Sequence, residues 1–250
     1  MKKLIQAALQ RILGFRLYLF VFSLFIMYTL RWNRKEGDFN YLLKMLRPDA
    51  VVLDIGANIG IMTALLARHC KKGKVIAFEP IPENYEALNR LIRFLKLTNV
   101  ETHQLALGAE HAQVEMLMPV MAGVRMQGLS HVQHESIPHY PSRSIAYKVE
   151  QLPLDEWWGG RGQKVDAIKM DVENYEQYVI RGGLNLIRRC KPLIYCELWD
   201  NDNRKACMEL LTACGYCTRV LEKGRLVNFE PKKHMHQNFF FLPEESIEIN

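Results

Sequence analysis

Two acidic residues stand where an α/β sheet would present a ligand: Asp54, opening the run Asp54-Ile55-Gly56-Ala57-Asn58-Ile59-Gly60, and Glu79. In an open α/β sheet, ligands bind beyond the carboxyl ends of the strands. Asp54 lies at the end of the apolar run Val51–Ile55, and Gly56 and Gly60 flank the turn that follows. Glycine there permits unusual backbone angles and lets main chain approach a ligand closely. Together with Asn58 these residues form a candidate binding loop, and the Asp54 carboxylate suits a ligand carrying a positive amino group. Glu79 closes the next apolar run, Val75-Ile76-Ala77-Phe78, where a carboxylate can accept hydrogen bonds from both hydroxyls of a ribose. The backbone near Ala106 and Leu107 comes next in line and can frame a flat base.

An amino-acid-like arm at one tip and a ribose at the next describe S-adenosylmethionine (SAM). The rival is a nicotinamide dinucleotide, whose GxGxxG turn sets a pyrophosphate on a helix N-terminus. Here the turn reads DxGxNxG, and an Asp at its entrance would repel a pyrophosphate. Methyl transfer asks the protein to orient an acceptor, exclude water and, for a hydroxyl, remove a proton. Asp171 and Glu173 follow the strand-like run Val165–Met170 and are the leading candidates, with His134 in the stretch Pro119–Ala146. Glu197 and His131 are further ones. Plainer roles compete with each. Asp171 and Glu173 can cap the following helix, Glu197 can pair with a cation, and either histidine can be a solvated loop residue. The three carboxylates could instead hold a divalent metal, but the expectation is a site without a metal.

The elements that must position these groups alternate. Strands are predicted at 51–55, 75–78, 99–107, 113–118, 147–154, 165–170 and 193–198, and helices at 59–70, 82–97, 174–190 and 203–214. Two last strands, 216–222 and 237–242, have no helix between them and should run antiparallel. The pattern predicts a mostly parallel sheet covered by helices on both faces. The stretch Pro119–Ala146, with His131, His134 and His139, reads as a long irregular insertion placed to cover a ligand.

The chain has 250 residues and a net charge of +6. Its first 36 residues carry seven cations against Glu36, so the remaining 214 are neutral overall. A nucleic-acid enzyme would carry its basic face on the catalytic body, which argues against such a partner. Leu17–Leu30 is free of charge, yet 14 residues of helix span only about 21 Å, short of a bilayer. Two readings stand: a pair of N-terminal helices packed on the catalytic body or on a second copy, and an interfacial helix on anionic headgroups through residues 1–35. The six cysteines read as buried thiols of a reduced, cytoplasmic protein, with Cys214-Gly-Tyr-Cys217 ending a helix instead of starting one.

Val51–Gly60, Phe78-Glu79-Pro80, Leu152–Glu156, Asp166–Glu173 and Pro192–Glu197 resemble the FkbM family of methyltransferases over roughly residues 50–242. The resemblance implies a class I SAM-methyltransferase (Rossmann-like) fold, SAM as methyl donor, and O-methylation of a hydroxyl on a sugar, glycolipid or natural product. Where the family continues with a small pair, this chain reads Asn174-Tyr175. That difference motivates a second reading, a non-catalytic module of the same fold kept for binding or assembly; an NAD-dependent oxidoreductase is a third. The expected division is an N-terminal helical extension over 1–47 and a methyltransferase domain over 48–250, in a protein located in the cytoplasm or peripherally at the inner membrane face, with a homodimer as one assembly.

Overall fold

The computed structural model describes residues 2–29, 37–134, 143–159 and 161–246. His139 of the insertion and the cations Arg31, Arg34 and Lys35 lie outside the described residues.

Two helices come first, α1 (Lys2–Leu13) and α2 (Phe15–Thr29), separated at Gly14 where φ is +70°. After α3 (Gly37–Met45) the chain alternates through β1 (Val51–Ile55), α4 (Ile61–His69), β2 (Lys74–Phe78), α5 (Pro82–Phe94) and β3 (Val100–His103). Next come β4 (Ala106–Gly108), β5 (Ala112–Met121), β6 (Val124–Arg125), β7 (His131–Val132) and β8 (Ser144–Pro153). Alternation resumes with α6 (Leu154–Trp158), β9 (Ala167–Met170), α7 (Glu176–Arg181), α8 (Leu184–Cys190), β10 (Leu193–Glu197) and α9 (Asp202–Thr212). The end is all strand: β11 (Tyr216–Glu222), β12 (Arg225–Asn228) and β13 (Asn238–Pro243).

The main sheet has eight strands in the order β12-β11-β13-β10-β9-β1-β2-β3. β1 lies parallel between β2 and β9, and β13 runs antiparallel to both β10 and β11, as the closing pair predicts. Every residue of β1 is buried, as expected of a central strand covered on both faces. Its apolar side chains divide between two cores, Leu53 and Ile55 on one face and Val52 on the other. Pro82 opens α5 at its first turn, where a missing N–H costs nothing.

Four expectations are corrected. The stretch 99–107 is two strands: β3 ends the main sheet, while β4 leaves it to pair with β8. β5 and β8, both expected in line with the others, instead form a second sheet, antiparallel from Ala112↔Gln151 to Pro119↔Ser144. The insertion is therefore not irregular throughout, since these strands extend into it and β6 and β7 add to β5. The helix expected over 174–190 breaks at Gly182-Gly183. The chain there crosses β4 so closely that a Cβ on Gly182 would sit 1.9 Å from the Gly108 carbonyl oxygen.

The N-terminal helices pack on the body. Tyr18 and Leu19 of α2 are buried with Ile59 and Ala87, and the Phe20 ring meets Phe94 edge-on at 5.8 Å. Gln10 of α1 makes a double hydrogen bond with the Arg125 main chain: its amide donates to the carbonyl at 3.2 Å and accepts from the N–H at 3.0 Å.

Candidate functional site

β1, β2 and β9 end side by side, with Ile55 level with both Phe78 and Met170. The turn after β1 is tied to β2, because the N–H groups of Gly56 and Ala57 both donate to the Phe78 carbonyl, at 3.1 and 2.9 Å. Gly56 has φ +79°, and a Cβ there would lie 1.9 Å from the Asp171 carbonyl oxygen. This glycine lets the β1 turn touch the β9 turn. Gly60 has a different task. With φ +85°, it sits against Leu88 of α5, whose Cδ1 would be 2.6 Å from an added Cβ, so it joins two helices and does not line the cleft.

A narrow cleft opens above these strand tips, lined by Gly56, Asn58, Glu79, Asn84 and the run Leu105-Ala106-Leu107, with Asp171, Glu173 and Tyr175 at one end. Glu79 is buried and fully engaged: Oε2 accepts from the Asn58 N–H at 2.8 Å, and Oε1 accepts from the Ile81 N–H at 2.9 Å and from Asn84 Nδ2 at 3.3 Å. Burial pushes its carboxyl up to about 7 against the opposing pull of those donors. Asn58 Oδ1 and Asn84 Oδ1, beside it on the cleft wall, are buried acceptors with no partner. Buried acceptors without donors are rare; these two suit the hydroxyls and amino groups of a nucleoside. Met116 and Val132, from the second sheet, supply apolar surface for a base.

Asp54 does not reach this cleft. It is fully buried, its Oδ2 accepting from the Thr63 hydroxyl at 2.6 Å and its Oδ1 lying 3.2 Å from the Lys169 ammonium. Lys169 is its register partner on β9 and also donates to the Gly56 carbonyl at 3.1 Å. Burial would lower the Lys169 pKa, but Asp54, Asp171 and Glu197 hold it above its usual value. Asp54 thus braces the turn from behind through Lys169. Its charge is neutralised there, so it cannot serve to repel a pyrophosphate at the entrance.

Asp171 and Glu173 sit in the turn after β9. Glu173 and Asn174 have φ of +53° and +72°, two successive left-handed residues. Asn tolerates that region better than most side chains, and Asn174 Oδ1 also accepts from Asn201 Nδ2 at 2.6 Å. The departure at Asn174 therefore keeps a backbone shape that glycine would adopt freely, while Tyr175 is buried and stacks on Tyr178 at 4.5 Å. Neither acid stands at the cap position of α7, which is Tyr175 and makes no side-chain capping hydrogen bond. Burial, then Asp171, Glu197 and Glu176, push the Glu173 carboxyl up to about 8.

The sequence reading missed Glu176. Its Oε1 accepts from the Val172 N–H at 3.1 Å and its Oε2 from Asn203 Nδ2 at 2.6 Å, which fixes the turn from below. Burial raises it to about 7. Asn84 and Lys169 are likewise absent from that reading, which names Tyr175 only as part of the departure from the family's small pair. Only Asn84, one turn into the helix after Glu79, carried a local signal. Asp155, within the Leu152–Glu156 motif, accepts from the N–H groups of Asn185 and Leu186 at 2.9 and 2.8 Å, a structural task at the start of α8.

The insertion contributes Gln127, Gly128, Ser130 and Val132 to the cleft. Neither His131 nor His134 lines it. His131 is buried, and the His134 ring lies 4.8 Å from that of Tyr178. Among the described residues no group of three or more His, Cys, Asp or Glu is placed to hold a metal ion.

Two further cavities adjoin the cleft. One is walled by Phe22 and Ile26 of α2 with Ile59, Ile61 and Met62, and reaches Lys169 and Asp171. The other, more polar, lies among Tyr195, Glu197, Asn238, Lys169 and Asp171.

Residues 54–218 match the family described as "Methyltransferase FkbM domain". The chain is similar to "Methyltransferase 1" of Beauveria bassiana, 24% identical over 145 residues that cover 54% of this chain and 58% of that protein. It is similar to "2-O-methyltransferase NoeI" of Sinorhizobium fredii, 26% identical over 164 residues that cover 62% of this chain and 66% of that protein. The chain thus spans less than two thirds of the length of either relative. Among solved structures, the methyltransferase FkbM from Methylobacillus flagellatus shares the fold, with a TM-score of 0.53 and 16% identity over 79% of this chain and 45% of that one.

Proposed function

The chain belongs to the FkbM methyltransferase family, and we propose that it moves a methyl group from SAM to a hydroxyl of a sugar, glycolipid or natural product. The observation that carries the reading is the position of Asp171. Among the described residues it alone borders the nucleoside-shaped cleft and both neighbouring cavities. A group at that junction meets both a cofactor and an acceptor.

The cleft fits SAM by its chemistry. Glu79, Asn58 and Asn84 would hold the ribose, the Leu105–Leu107 main chain with Met116 and Val132 the base, and the Gly56 turn the amino-acid arm. Bound SAM supplies a methyl group on a sulfonium, already activated for displacement. The protein's part is then positioning and proton removal. Asp171 accepts the hydrogen bond of the acceptor hydroxyl. Glu173, held at about 8, is matched to take the proton near neutral pH. The Sinorhizobium relative is named a 2-O-methyltransferase, which supports an oxygen acceptor.

Calorimetry of the full chain with SAM, S-adenosylhomocysteine and NAD tests the cofactor. Binding of the first two and not the third is expected; binding of NAD alone would overturn the reading. A screen with labelled SAM against hydroxylated glycans and lipids then tests the transfer. SAM binding with no labelled product across that panel would favour the non-catalytic module.

A further inference from the structure

We infer that α1 and α2 dock the protein on an anionic lipid surface, with their apolar stripes in the acyl boundary and their cations against the headgroups. This inference does not depend on methyl transfer. Eight of the twelve large apolar side chains exposed among the described residues fall between residues 4 and 28.

They form stripes. On α1, Leu4, Ile5, Leu9 and Ile12 are 74, 54, 41 and 78% exposed; on α2, Leu17, Val21 and Phe25 are 41, 44 and 59% exposed. Spacings of three and four residues put each set on one helical face. The opposite faces are already used, Gln10 against β6 and Tyr18, Leu19 and Ser23 against the body. Apolar patches of this kind mark sites of association.

Charge selects the partner. Neither helix contains an acidic residue. The first 36 residues hold seven cations against one acid, while the rest of the chain, with 26 of each sign, is neutral. Arg16 is engaged with Glu86 at 2.7 Å, and Arg11 is exposed at the border of the α1 stripe. A second copy would bring the same cations against this face, whereas an anionic headgroup layer complements them. Length excludes spanning: 12 and 15 residues reach about 18 and 22 Å against a core of about 30 Å. No described helix is long and apolar enough to cross a membrane. Such helices lie in the interface.

The test is co-sedimentation of the full chain with phosphatidylcholine vesicles with and without about one third phosphatidylglycerol. Binding at least about tenfold tighter to the anionic vesicles, weakened by added salt, is expected. The double substitution Ile12→Glu with Phe25→Glu should weaken binding about tenfold or more and leave the unfolding midpoint unchanged, since both side chains are exposed. Arg11→Gln with Lys3→Gln should remove the preference for anionic vesicles without touching the stripes. Equal or absent binding to the two vesicle types would overturn the inference, as would a double variant that binds like the parent. Light scattering that shows a dimer split by Ile12→Glu with Phe25→Glu would overturn it too, by assigning the stripes to a second copy.

Discussion

Asp54 and Asp171 belong to neighbouring strand ends, and they differ in depth. Asp54 is level with Lys169 inside the paired ladder, where it is fully buried and neutralised. Asp171 follows Met170, the last residue of β9 paired with β1, and lies at the rim where three cavities meet. Two residues of rise separate a brace from the acid proposed to meet the acceptor. Residue type alone does not distinguish them, and the register does.

The largest test of this contrast replaces each acid in turn. Asp54→Ala leaves Lys169 buried without its counter-ion and should lose about 3–5 kcal/mol of stability in a urea titration. Asp171→Asn should stay within about 0.5 kcal/mol of the parent, yet lower turnover by about 10²–10⁴-fold once an acceptor is in hand. An Asp54→Ala chain as stable as the parent, or an Asp171→Asn chain with full turnover, would break the comparison.

A smaller effect sharpens the rim's side of it. Glu79, Glu173 and Glu176 are raised to about 7, 8 and 7 from 4.5. The folded chain therefore holds protons that the unfolded chain has released. That contribution to stability is complete below about pH 4.5 and is lost as pH rises through about 7 to 8. The unfolding midpoint should fall across this window, and Glu173→Gln should remove part of the slope. Turnover should climb through about pH 8 in the parent and lose that limb in Glu173→Gln. An unchanged limb would take Glu173 off the proton path.

The smallest expected change is at Asn174. Glycine adopts φ +72° freely but loses the bond to Asn201, so Asn174→Gly should shift stability by no more than about 1 kcal/mol. Asn174→Val, β-branched and without that bond, should cost more. A valine variant with the parent's denaturation curve would show that the left-handed turn imposes little.

The sequence made legible whatever repeats locally. The apolar runs of β1, β2, β9 and β10, the glycine turn, Glu79 at the tip of β2 and the helix-free tail all follow from period and punctuation. What stayed hidden depends on pairing between distant residues. Nothing local says that Ala106 leaves the main sheet to meet Gln151, or that β5 and β8 build a sheet of their own. Nor does a carboxylate announce that a lysine 115 positions away lies beside it, as Lys169 does for Asp54. Glu176 escapes a sequence reading because its partner Asn203 becomes a neighbour only once α9 has docked, and its bond to Val172 needs the left-handed turn between them.

The paired hydrogen bonds between Gln10 and Arg125 have a practical bearing on how the protein should be handled. Gln127, Gly128 and Ser130, just after β6, line one wall of the cleft, and α1 grips β6 by its main chain. A preparation trimmed to residue 37 for convenience would lose that grip, uncover Ile59 and Ala87, and open the cavity bounded by Phe22 and Ile26. Its affinities would belong to a different binding surface, and a negative result obtained with it would say little about the full 250-residue chain.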